Sequence, residues 1–190
     1  MLSNIRICNL ANATPDQLEQ TAAMLHLAFR ATGTEAWATL AEARLEVAAA
    51  CAAEPVRINR LAVQPDGRVV GWIGAIHEGY SAAWELHPLV VHPAYQRMGI
   101  GRQLLDDLVA HVREQGALTL WLGTDDENQR TSIGGIDLYP DPLHHLQQIQ
   151  NRADHPLGFY RKHGFVVAGV IPDANGRGKP DLLLVRQVQE

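Results

Sequence analysis

Cysteine is scarce in this chain. Cys8 and Cys51 are the only two in 190 residues, too few for a disulfide framework and without metal-ligand spacing. Both read as reduced core residues of a cytoplasmic protein. Long apolar runs are also missing: no stretch approaches the roughly 20 residues that cross a bilayer. The N-terminus has no basic region followed by an apolar run and a small-residue cleavage site, so no secretory signal is expected. Nor is there an excess of basic charge. Sixteen Lys and Arg stand against 21 Asp and Glu, a net charge of −5. Non-specific nucleic-acid binding needs a basic footprint, so that class is excluded, whereas a cationic small molecule is permitted. What is present is 46% hydrophobic and 19% charged, the balance of a globular protein with a sizeable core, read as a single domain over 1–190.

No internal repeat or linker interrupts the pattern. Residues 5–10 read as a short strand, and Thr14-Pro15-Asp16-Gln17 as a helix start with a capping box and proline at the first helical position. Leu18, Ala22, Leu25 and Phe29 then recur at helical spacing. Gly33 ends that helix, and Thr34 is positioned to cap a second one running to about 53. Residues 56–63 and 69–77 read as strands around the turn Pro65-Asp66-Gly67. A third strand over 83–92 contains Pro88, which has no N–H for a ladder and so implies a bulge or an unpaired edge. A helix over 99–114 turns Leu104, Leu105, Leu108 and Val112 inward, and a strand covers 118–124. A long polar segment, 125–154, has a helical stretch near 143–151; a loop of this length is usually functional or disordered. A helix over 156–163 and strands over 165–170 and 182–187 complete a mixed α/β chain.

The densest information lies in Val90-Val91-His92-Pro93-Ala94-Tyr95-Gln96-Arg97-Met98-Gly99-Ile100-Gly101, where strand passes into helix. Glycines at i and i+2 let backbone approach a ligand, and the helix N-terminus adds free N–H groups and the positive end of its dipole. That is a place for a pyrophosphate, with Arg97 or Arg102 at its rim. A plain tight turn capping a helix is the alternative.

Gln96-x-x-Gly99-x-Gly101 after Val-His-Pro resembles the acetyl-CoA signature of the GNAT superfamily of N-acetyltransferases. Phe159-Tyr160-x-x-x-Gly164-Phe165 resembles its later helix-to-strand motif. Three further groups of residues look like the chromosomal subgroup of aminoglycoside 6'-N-acetyltransferases within that superfamily. They are Trp84-Glu85-Leu86-His87-Pro88-Leu89, Leu122-Gly123-Thr124-Asp125-Asp126, and a tail at Pro172-x-Ala174-Asn175-Gly176. The likeness covers about 71–181, and the two N-terminal helices match only in pattern. It implies a mixed, mostly antiparallel twisted sheet, splayed at the acetyl-CoA site and flanked by helices, and a homodimer. It also implies that Leu89, Val90 and Val91 pair with the pantetheine arm. The pyrophosphate would sit on the amides of Arg97, Met98, Gly99, Ile100, Gly101 and Arg102. Tyr160 would stand near the thioester sulfur and protonate the departing thiolate; packing as a helix aromatic is the other reading of that side chain.

Glu85 and His87 fall on one strand face because the side-chain period is two. An alkylammonium must lose a proton before its nitrogen can attack a thioester. Glu85 is the candidate to bind it and guide that proton away, as base or as electrostatic anchor, with His87 assisting or merely satisfying backbone. An amide near Leu89 suits a developing oxyanion. Asp125 and Asp126 either hold further ammonium groups of a polycationic sugar or cap the next turn. Tyr80, Trp84 and Trp37 either line the cleft or pack. No residue stands out as a covalent nucleophile, so direct transfer in a ternary complex is expected, and removing a positive charge from the drug fits antibiotic resistance. His144-His145 and Asp154-His155 lack a third ligand, so no metal is expected. A polyamine, metabolite amine or protein lysine as acceptor, and a non-catalytic acyl-CoA-binding module, stand as rivals.

Overall fold

The structure, a computed structural model, describes residues 5–33, 36–52 and 54–189. Two compact units divide it, Met1–Leu118 and Thr119–Glu190.

Thr14 and Gln17 open the first unit's long helix with a reciprocal capping box, Thr14 N–H donating to Gln17 Oε1 at 3.1 Å and Gln17 N–H to Thr14 Oγ1 at 3.2 Å. Helix α1 spans Pro15–Thr32 and ends at Gly33, whose φ of 73° is left-handed. Helix α2 spans Leu40–Ala50 and is capped by Thr39 with Glu42 closing a second box. The expected cap at Thr34 lies outside the described residues. Strands β1 (Arg6–Asn9), β2 (Val56–Val63), β3 (Val69–His77) and β4 (Ala83–Val91) pair antiparallel in that order. Leu25, Ala43, Val47, Leu61 and Trp72 form the core between the two helices and these strands. Helix α3 (Ile100–Glu114) packs on β2, β3 and β4, and buries Leu104, Leu105, Leu108 and Val112 as its spacing predicts. Arg60 of β2 grips Asp107 of α3 at 2.6 Å.

Pro88 does make a bulge. Ile73 faces Leu89 and Ala75 faces Leu86, so His87 and Pro88 together oppose the single residue Gly74. Only glycine fits there: a Cβ on it would fall onto the His87 carbonyl and lie 2.5 Å from Asn59 Oδ1. Gly74→Ala therefore moves the bulge or the buried Asn59. It is expected to cost about 1–3 kcal/mol, read as a lower denaturation midpoint, with the β3–β4 register disturbed at the same time.

In the second unit β7 (Asp181–Gln187) is central, antiparallel to β5 (Thr119–Asp125) and β6 (Val166–Ile171). Short helices α4 (Pro142–Gln147) and α5 (Leu157–Lys162) lie in the connection. The long polar segment is neither open loop nor disorder. Thr131 bridges Asn151, Ser132 N–H donates to Gln150 O, and Gly135 N–H donates to Gly178 O. Ile133, Leu138 and Ile149 are buried beneath it. Two of its polar side chains, Asp126 and Thr131, are buried, and most of the others face solvent.

One expectation about cysteine needs correcting. Cys8 is half-buried against the core, but Cys51 is exposed, because it sits at the C-cap of α2.

Candidate active site

The strand-to-helix turn ends in an uncapped helix. Gly99 adopts φ 82° at the N-cap of α3 and contributes no side chain, so no side chain satisfies the first turn. The leading amides of an α-helix have no intrahelical acceptor. Gln96, Arg97, Met98, Gly99 and Arg102 are exposed, Gly101 is partly exposed, and Ile100 buries its side chain and can offer only backbone. Arg97 has φ 61°, the left-handed region, two residues before the glycine. Gln96 Nε2–H donates to Val91 O at 3.1 Å, tying the turn back to the end of β4. The arrangement is shaped for an anion with several acceptor oxygens.

The ladder fixes where β4 aims its backbone. His92 N–H donates to Val70 O at 3.0 Å, so the pairs two residues apart, His92 with Val70 and Val90 with Trp72, are the hydrogen-bonded ones. Leu89 and Val91 fall between them and turn their N–H and C=O groups away from β3. Side chains on β4 alternate strictly: Trp84, Leu86, Pro88 and Val90 are buried, and Glu85, His87, Leu89 and Val91 are half-exposed. Glu85 and His87 thus share an accessible face in the same unit as the cradle. Burial pushes the Glu85 carboxyl up, His87 and Arg57 pull it back, and Glu78 adds to the rise.

Two aromatic expectations separate here. Trp84 is 3% exposed and stacks on His77 at 4.8 Å between centroids, so it packs rather than lines a cleft. The strand alternation that exposes Glu85 is what buries it. Tyr80, in the turn after β3, is 65% exposed. Trp37 is half-buried, edge-on to Phe29 at 4.4 Å and 5.7 Å from the His87 ring.

Sequence reasoning missed Glu46. It lies on α2, yet Oε1 stands 3.5 Å from His87 Nε2 and 3.6 Å from Arg57 Nη1. These are ion-pair separations rather than formed hydrogen bonds, and Oε1 is a shielded oxygen without a hydrogen-bond donor. The imidazole holds the Glu46 carboxyl below its usual value; burial works the other way, and Arg57 and Trp37 add to the lowering. Nothing in the local sequence of α2 marks this residue, which reads as a solvated helix charge.

In the second unit Asp126 is fully buried and wholly engaged. Oδ1 accepts from Arg130 N–H at 2.7 Å, and Oδ2 accepts from Thr131 N–H at 2.9 Å and Thr131 Oγ1–H at 2.6 Å. It holds a turn, which takes it out of the set of ammonium ligands. Asp125 is half-buried, and its side chain accepts from Asn175 Nδ2–H. Its carbonyl accepts from His155 Nε2–H at 2.9 Å, the tautomer being set by Leu157 N–H donating to His155 Nδ1. Burial pushes the His155 ring's proton affinity down, consistent with a neutral structural imidazole. Tyr160 is 8% exposed, packed edge-on to Phe159 and Phe165, and burial drives its hydroxyl well above the ordinary phenol value. Among the described residues no three His, Cys, Asp or Glu side chains group as a metal would require, and no helix is long and apolar enough to cross a membrane.

The profile of the Acetyltransferase (GNAT) family matches residues 22–140. A crystal structure of aminoglycoside 6'-N-acetyltransferase complexed with coenzyme A superposes with TM-score 0.85 at 33% identity, over 97% of this chain and 98% of that one. The aminoglycoside 6'-N-acetyltransferase from Enterococcus faecium gives 0.84, with the same identity and coverage. An uncharacterized N-acetyltransferase of Mycobacterium tuberculosis is 36% identical over 70 residues, 37% of this chain. That matched stretch spans 44% of the relative's own length. The chain belongs to the GNAT acetyltransferase family and has its fold.

Proposed function

We propose that this enzyme transfers the acetyl group of acetyl-CoA to the 6'-amine of aminoglycosides, directly and within a ternary complex. One observation carries the reading: Glu85 and His87 stand on the half-exposed face of β4, on the strand that runs through the Pro88 bulge into an uncapped helix N-terminus. Likeness across nearly the whole chain to a 6'-N-acetyltransferase structure that holds coenzyme A supports it.

In this reading the amides of residues 97–102 receive the pyrophosphate, and the outward-turned groups of Leu89 and Val91 receive the pantetheine amides. Acetyl-CoA supplies the thioester. Glu85 binds the acceptor's ammonium and, with His87, draws off one proton, which leaves the nitrogen lone pair free to attack. The Leu89 N–H stabilises charge growing on the carbonyl oxygen. Tyr80 and Asp125 remain the candidates to contact the rest of the sugar. The test is thiol release with aminoglycosides that have or lack a 6'-amine. Turnover confined to drugs bearing it is expected; turnover on spermidine or peptides with none on kanamycin or tobramycin would replace the drug with another amine.

Tyr160 is assigned the proton that leaves with the thiolate. A hydroxyl held so far above its usual value stays protonated throughout the working range, so it adds no basic limb to the rate profile. Tyr160→Phe is expected to lower kcat by about tenfold, with the KM for acetyl-CoA unchanged, in steady-state assays. Unchanged kcat would make Tyr160 a packing residue only.

A further inference from the structure

The acceptor chemistry above leaves one carboxylate unused. Glu46 is held on a helix fixed at both ends: the Thr39–Glu42 box starts α2, and Asn59 Nδ2–H donates to Ala50 O at 2.9 Å at its finish. Its place beside His87 is therefore set by the fold, not by a mobile loop. The shielded Oε1 has no hydrogen-bond donor, and leaving such an oxygen unpaired is costly. His87 Nε2 and Arg57 Nη1 both stand just beyond hydrogen-bond reach of it, and the Trp37 side chain adds to the lowering of this carboxyl. Trp37 lies against the same imidazole, its ring tilted 48° to it.

We infer that Glu46 is the positioning residue of His87, poised to hold the imidazole in the charged state it enters during acetyl transfer. The inference rests on the reading that His87 helps remove the acceptor's proton. In that step an N–H bond of the ammonium breaks and its electron pair stays on the amine nitrogen. The proton forms a new N–H bond on the imidazole, which becomes a cation. Both ring nitrogens then carry hydrogen, so Nε2–H faces Glu46, and a charge-assisted contact can tighten to about 2.7–2.9 Å. A neutral ring with its hydrogen on Nε2 already turns a donor toward Oε1 and leaves Nδ1 free to take the proton, and the contact strengthens once the ring is a cation. An interaction made more strongly in that state than before it is what lowers a barrier. The other charges around this pair are Glu85 on the same strand, Glu78 close enough to act on Glu85, and Arg57 from β2, which opposes the cation.

The experiment is a double-mutant cycle of Glu46→Gln and His87→Ala, with kcat, the acceptor KM and calorimetric coenzyme A affinity measured for each. Glu46→Gln is expected to lower kcat roughly tenfold and to add nothing in the His87→Ala background. Coenzyme A affinity stays at the wild-type value in every arm. A loss that persists in the His87→Ala background, acting through Arg57 or through folding, overturns the inference. So does a wild-type kcat from Glu46→Gln beside a slow His87→Ala, an outcome that leaves the part played by His87 standing. Wild-type kinetics from His87→Ala instead removes the reading on which the inference rests, and the inference with it. If Glu46→Gln does not fold, Glu46→Asp keeps the charge near Arg57 and draws it back from the ring. Lowered turnover at a wild-type melting point supports the assignment, and full turnover sinks it.

Discussion

Glu85→Gln is expected to lower kcat/KM for the acceptor by about 100-fold while coenzyme A binds as before. Glutamine keeps the shape of the side chain and its place on β4 but can neither balance an ammonium nor pass on a proton. The cradle proposed for the cofactor is backbone at the N-terminus of α3, so its affinity has no reason to change. Burial lifts the Glu85 carboxyl above its ordinary value, which moves its protonation toward neutral pH. Wild-type activity then falls with acidification earlier than a free glutamate would dictate. In the variant that contribution disappears. Initial rates at saturating acetyl-CoA across pH, with calorimetry for coenzyme A, provide the check. Wild-type kcat and KM at every pH would remove Glu85 from the acceptor chemistry.

The strand-to-helix turn at Gly99 and the strand face of β4 were legible in the sequence because both are local. Two glycines at i and i+2, a helix whose apolar spacing begins at Ile100, and a period of two through Glu85 and His87 need no knowledge of distant residues. The same holds for the Thr14 box and for the interruption at Pro88, since a proline lacking its N–H must sit at a bulge or an unpaired edge. What stayed hidden depends on contacts between residues far apart in the chain. Glu46 meets His87 only because Asn59 and Trp72 pin the end of α2 against β2 and β3, with Trp72 Nε1–H donating to Asn59 Oδ1 at 3.0 Å. Trp84 could line a cleft or pack, and its place in the strand alternation decides for packing. Asp125 and Asp126 are adjacent and chemically alike, but β5 ends between them. One remains partly accessible and the other turns into the protein.

That buried partner carries the second large effect. Asp126→Ala is expected to destabilise the second unit by about 3–5 kcal/mol. Three donors lose their acceptor together: the amides of Arg130 and Thr131 and the Thr131 hydroxyl. Thr131 is itself fully buried and forms the bridge to Asn151, so the loss reaches the far side of the long segment. The two Thr131 donors are buried and the Arg130 amide partly so, which leaves the Thr131 pair without a replacement partner. The native turn also closes tightly on its carboxylate, since a Cβ at Gly134 would meet the Asp126 carboxyl carbon at 2.9 Å. A drop of roughly 10 °C in melting midpoint follows for a chain of this size, with faster amide exchange from Arg130 to Ala153. Asp126→Asn should fall between, because the amide keeps one acceptor oxygen and sets its NH2 against a backbone N–H. Below the new midpoint, the acceptor KM of either variant should match the wild type, as a carboxylate with no solvent exposure offers nothing to an ammonium. A wild-type melt with a raised acceptor KM would return Asp126 to the binding site and make the bonds within the turn incidental.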